Sequence, residues 1–149
     1  MTKVINVAKY IVYYFNSKNS AVSNLKLQKL LYFCQIEKYK TYREWLFEEN
    51  FQVWENGPVV NSVYIAFSPF VATEIYLADN NISDLKFDES DKKIIDKICE
   101  TYFNSYSWDL VEKSHETGTA WERQKTQDNG IYRQAISDEN LKKDKFLGL

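Results

Sequence analysis

Nine residues, Phe51-Gln-Val-Trp-Glu-Asn-Gly-Pro-Val59, limit what this chain can fold into more than any other stretch. In an extended chain Phe51, Val53 and Glu55 point to one side, and Gln52 and Trp54 to the other. Trp54 can bury a large ring, but its indole N–H then needs a partner. Gly57 permits a positive φ. Pro58 fixes its own φ and turns Gly57 away from the right-handed helical region. Val59 then opens a helical-looking segment, with Pro58 at its start, where a missing N–H costs least. The stretch predicts a strand, a tight reversal and a helix, so that helices on either side of a small sheet share one core.

The flanks supply those helices. Ala8, Ile11, Val12 and Phe15 form one apolar face over residues 3–16. A polar break follows, and Ser23 or Asn24 can cap a second helix over about 24–42. Leu27, Leu30, Leu31 and Cys34 make its core stripe, and Tyr32, Ile36 and Tyr39 a second apolar face, so two sides should be covered. Lys26, Lys29 and Lys38 are expected to project elsewhere. The pattern also predicts extended segments at Trp45–Phe47 and Asn50–Trp54, pairing across Glu48-Glu49. A short third helix should use Val59, Val63, Tyr64 and Phe67 and stop at Ser68-Pro69. Ile75, Leu77, Leu85 and Phe87 can lie in strands about a turn at Asp79–Asn81.

Beyond that, Asp88 or Ser90 can cap a helix over about 89–105 with Ile95, Ile98, Cys99 and Tyr102 inward. Ser107 can start another, with Leu110 and Val111 inward, ending near Ser114. His115–Gly118 reads as a loop, Ala120-Trp121 as an anchor, Asp128-Asn-Gly130 as a turn, and Ser137–Asn140 as a helix start. The expected fold is α+β and predominantly α-helical: a helical bundle around a small antiparallel β-sheet, with residues 1–149 as a single domain.

Chemistry is sparse. His115 and Glu116 can act as a base and its orienter. Yet no Gly-x-Ser-x-Gly elbow is present, and a zinc site needs more His or Cys than the chain holds. A structural histidine that hydrogen-bonds a loop is the competing reading. Four glycines, widely scattered, make no phosphate-binding loop. Cys34 and Cys99 sit on apolar helical stripes and read as buried thiols in a reducing, cytoplasmic setting. No run is long enough to span a membrane. No cofactor or metal is expected.

Aromatic residues make up 16% of the chain, which suits a ring-packed core or a protein-binding surface. The net charge of -2 disfavours a generic nucleic-acid binder, although Lys38-Tyr-Lys-Thr-Tyr-Arg43 can stack and neutralise phosphate. Residues 1–43 hold eight basic side chains against one acidic, and residues 44–149 hold eleven against twenty. That split can hold the two parts together or present one basic and one acidic face.

Three segments in order carry a resemblance: Leu25-Lys-Leu-Gln-Lys-Leu-Leu-Tyr32, then Phe51-x-x-Trp54-x-x-Gly57-Pro58-Val59 with Tyr64, then Ser114-His115 and Trp121. Together they resemble the SocA-like antitoxin family, the Panacea domain, over roughly residues 3–136. Leu27, Gln28, Lys29, Leu30 and Tyr32 fill the helix motif. Phe51, Trp54, Gly57, Pro58 and Val59 fill the turn motif, and His115 the Ser-His step. The family's Gly-Pro-Trp is here Gly118-Thr-Ala-Trp121, without the proline.

The resemblance implies a non-enzymatic antitoxin that neutralises a toxin encoded nearby, and in the founding member delivers it to a bacterial protease. Two alternatives are a phage or mobile-element protein that blocks a host defence component with the same platform, and a DNA-binding regulator that uses the basic hairpin of the first two helices. A hydrolase using His115 and Glu116 is a third. The candidate partner contacts are Lys26, Lys29, Trp54, Tyr64 and Trp121. Reversing Lys26 and Lys29 to Glu is expected to slow association with an acidic partner.

Overall fold

The structure, a computed structural model, describes residues 1–70, 73–77 and 85–148. Helix α1 spans Val4–Ser17 and α2 Asn24–Tyr42. Ser23 caps α2: its hydroxyl accepts from the Lys26 N–H at 3.1 Å. Helices α3 (Asn61–Ala66), α4 (Glu89–Thr101), α5 (Ser107–His115), α6 (Ala120–Gln127) and α7 (Asp138–Leu141) follow. The fold is α+β and predominantly helical.

Helix α2 is the spine. It packs against α1, α4 and α5, and its Leu27, Leu30, Leu31 and Cys34 are fully buried. Burial continues around its circumference, so its polar side chains must find partners inside. Gln35 receives the Leu46 N–H at 2.7 Å and donates to the Phe47 carbonyl at 2.8 Å. Lys38 pairs with Asp91 of α4 at 2.7 Å. Lys26 donates to the carbonyls of Phe103 and Ser105, at 3.0 and 2.7 Å, just past the end of α4. These lysines were expected to project outward. Here they clamp neighbouring chain segments instead.

The sheets also depart from expectation. Among the described residues there are two, each of two antiparallel strands. Strand β1 (Val22–Ser23) pairs with β4 (Glu74–Ile75), and β2 (Gln52–Trp54) pairs with β3 (Gly57–Val59). Residues 45–47 take no part, because the reversal falls after Trp54 and not at Glu48-Glu49. Pro58 lies in β3 and α3 begins only at Asn61, so the proline does not open a helix. Leu77, Leu85 and Phe87 lie outside any strand. The expected turn at Asp79–Asn81 lies outside the described residues.

Past α4, His115 closes α5 and does not sit in a loop, and Ala120-Trp121 opens a two-turn helix. Asp88 occupies the N-cap position of α4 without a side-chain capping bond, whereas Ser137 does cap α7. Among the described residues no helix is long and apolar enough to cross a membrane.

Candidate functional site

The β2–β3 hairpin explains both the glycine and the proline. Its loop is Glu55-Asn56, and Gly57 completes the reversal at φ 108°, which L side chains rarely adopt. A side chain there would also have no room: a Cβ on Gly57 would come within 2.6 Å of Lys29 Cε and 2.8 Å of Ser114 Oγ. Val53 and Pro58 face one another across the pair. With Gln52–Val59 and Trp54–Gly57 as the bonded pairs, the backbone groups of Val53 and Pro58 point away from the hairpin. The missing N–H of Pro58 is therefore no loss to the ladder.

Both outward edges are covered. On the β2 side, the Val53 N–H donates to the Gln134 carbonyl at 2.9 Å, and the Val53 carbonyl accepts from Arg133. The Ile136 N–H reaches the Phe51 carbonyl at 2.7 Å. On the β3 side, two α2 side chains stand where a further strand would be. Lys29 Nζ donates to the Pro58 carbonyl at 2.9 Å, and Gln28 Oε1 accepts from the Val60 N–H at 2.9 Å. Gln28 is itself oriented by Asn24, whose amide reaches the Tyr64 carbonyl. The helix motif and the turn motif are thus two halves of one contact.

Lys29 is completely buried. Desolvation without a carboxylate partner pulls its amine down to about 7. His115, beside it, is also lowered, by burial first and then by the charges of Lys29 and Lys125. The His115 ring stacks on Trp121 at 3.9 Å, and its Nε2 is enclosed without a hydrogen-bond partner. The Trp121 indole N–H donates to the Trp54 carbonyl at 2.9 Å, so α6 holds the hairpin from a third direction. Glu116 pairs with Lys145 at 2.8 Å.

Tyr32 meets a different need. Its hydroxyl donates to Asp144, whose carboxylate also accepts the Ala120 N–H at 2.8 Å. The C-terminal segment is thereby fastened to α2 and to the first turn of α6. Thr119 completes that helix start by accepting from the Glu122 N–H. Leu27, Leu30 and Phe51 are core residues, and Val59 is buried at the end of β3.

What this scaffold presents is a cleft of about 460 Å³. Trp54, Tyr64 and Tyr132 supply its rings, with Leu25, Glu55 and Arg133 among the other walls. Trp54 and Tyr64 meet edge to face at 4.8 Å. The Arg133 guanidinium lies 3.7 Å from the Trp54 ring centre, and Lys125 sits over both Trp121 and Tyr132. Ile65 and Ile131, both exposed, neighbour the cleft residues in sequence.

Of the five candidate contacts, the structure brings Trp54 and Tyr64 together at this cleft. Trp121 is 5% exposed and works from behind. Lys26 and Lys29 are buried, so the expected basic face of α2 is corrected: removing either ammonium from water demanded internal acceptors, and the fold supplied them. Tyr132 and Arg133 were missed. They follow the Asp128–Gly130 turn in a segment without periodicity, and no local signal reveals that it lines β2.

A family model described as "Antitoxin SocA-like, Panacea domain" matches residues 27–122. No curated protein and no solved structure matches the chain.

Proposed function

Because the chain belongs to the SocA-like antitoxin family, the Panacea domain, we propose that it neutralises a cognate toxin by binding it directly at the hairpin cleft. The observation that supports this is the composition of that cleft. Trp, Tyr and Arg most often dominate binding energy at protein interfaces, and here Trp54, Tyr64, Tyr132 and Arg133 surround one opening. The hairpin is braced by α2, α5, α6 and residues 133–136, which limits the ordering cost on association.

The role is non-enzymatic on this reading. The His115 ring is stacked on Trp121 with its Nε2 enclosed, and Glu116 pairs with Lys145 and not with the imidazole. The domain works in the cytoplasm, on a toxin encoded beside it. Delivery of the bound toxin to a protease is a separate property of the complex.

The test is co-expression with the product of each neighbouring gene. One of them should arrest growth alone and be relieved by this chain. Tyr64→Ala with Tyr132→Ala should weaken binding by about a hundredfold, as expected for two contacts of ~1–2 kcal/mol each. Relief of arrest that survives the pair unchanged, with unchanged affinity, would move the interface elsewhere.

A further inference from the structure

The cleft has a cationic rim whose charges are unspent. The side chains of Arg133 and Lys125 make no ion pair among the described residues, whereas Lys38, Lys92, Lys97 and Lys145 pair with carboxylates and Lys26 and Lys29 are buried against carbonyls. Arg133 is exposed, yet it is not loose: its guanidinium rests on Trp54 at 3.7 Å. A stacked guanidinium keeps its N–H edge free, in the fork geometry that matches a carboxylate.

The backbone holds Arg133 there at a cost. Its φ is 72°, in the left-handed region, and it is one of four non-glycine residues with positive φ among the described residues. That conformation lets its N–H donate to the Val53 carbonyl while the side chain doubles back over Trp54, the next residue of the same strand. Strain of this kind persists only where the surroundings over-determine it.

We propose that Arg133 is the anchor for a carboxylate side chain of the bound protein, so that the cleft takes an acidic segment whose neighbouring apolar or aromatic side chain lies against Trp54, Tyr64 and Tyr132. This rests on the reading of the cleft as a protein-binding site. Glu55 lines the same cleft. A uniformly anionic nucleic-acid backbone would meet that carboxylate, whereas an Asp or Glu flanked by neutral groups would not. The single fork of Arg133 suits one carboxylate, with Lys125 adding to the local positive potential.

The probe is a random peptide library displayed on phage, selected on the immobilised full chain, with winning peptides then synthesised. Winners should carry Asp or Glu beside an apolar or aromatic residue. Replacing that acid by its amide should weaken binding about tenfold or more. Arg133→Gln should cost the same, the two losses should not add, and Arg133→Lys should fall between. The peptide-side replacement keeps the test independent of any folding defect in the variants.

Winners without acidic residues, no enrichment at all, or affinities indifferent to both replacements would overturn the proposal. So would poly(U) displacing the peptides from wild type with an affinity that Arg133→Gln abolishes, since the anchor would then serve phosphate. If acidic peptides bind as expected but no neighbouring protein is neutralised, the antitoxin reading fails alone. If a toxin is neutralised equally well by Arg133→Gln, this inference fails alone.

Discussion

Lys29 joins α2 to the β2–β3 hairpin through a single buried amine. Its amine is buried against the Pro58 carbonyl with no acid nearby. The folded value, about 7, lies below the ordinary 10.5. Between those values the unfolded chain binds the extra proton, so this group makes stability rise with pH; below about 7 both states are charged and the burial penalty is full. From pH 7 to 9 the gain is roughly 2 kcal/mol. Urea melts of wild type and Lys29→Met should therefore diverge in slope, the variant lacking this rise. Parallel pH dependence would mean that the ammonium is solvated in the folded state. Sequence spacing could not foresee the burial, because a lysine off the apolar stripe of a helix is ordinarily solvated. The clue lay across the chain, in the Pro58 carbonyl that points away from its own hairpin.

Among elements, the hairpin is held by side chains more than by its own ladder of three residue pairs. Its reversal was legible, since Gly57-Pro58 admits few conformations. Its partner strand was not, because alternation in 45–47 and in 50–54 looks equally strand-like. Residues 45–47 instead turn inward, Leu46 and Phe47 filling the core with their backbone satisfied by Gln35. Helix α6 escaped for a related reason: Glu122, Arg123, Lys125 and Gln127 leave its apolar stripe to Ala120 and Trp121. Trp121→Phe tests what that helix does for the hairpin. It keeps a ring against His115 but deletes the indole N–H that reaches the Trp54 carbonyl. The expected cost is about 1 kcal/mol, with faster hydrogen exchange confined to peptides covering β2 and β3. Unchanged exchange there would show that α2 and α5 suffice to hold the turn.

For the molecule as a whole, the family match ends at residue 122, but closure of the fold does not. Ile136, Leu141 and Leu147 belong to the same core cluster as α2. Residues 133–136 cover the β2 edge, and Asp144 joins Tyr32 to the first turn of α6. Removing this segment would leave the Tyr32 hydroxyl without its acceptor and the outward groups of Val53 unpaired, each costing about 1–3 kcal/mol where water cannot replace the partner, and would leave the Ala120 N–H with the Tyr32 hydroxyl alone. It would also take three side chains out of the core, at about 1.5–3 kcal/mol apiece. Domains of this size are stable by only about 5–15 kcal/mol. A chain ending at Gln127 should therefore lose its cooperative melt, while Asp144→Ala in the full chain should keep one and shift its midpoint by the equivalent of about 2 kcal/mol. Circular dichroism and tryptophan fluorescence, followed together through urea, separate the cases: coincident sigmoidal curves for the full chain, a broad drift for the shortened one. A shortened chain that melted cooperatively at the original midpoint would make the last twenty-two residues an appendage to the fold, present for the cleft that Tyr132 and Arg133 line and not for stability.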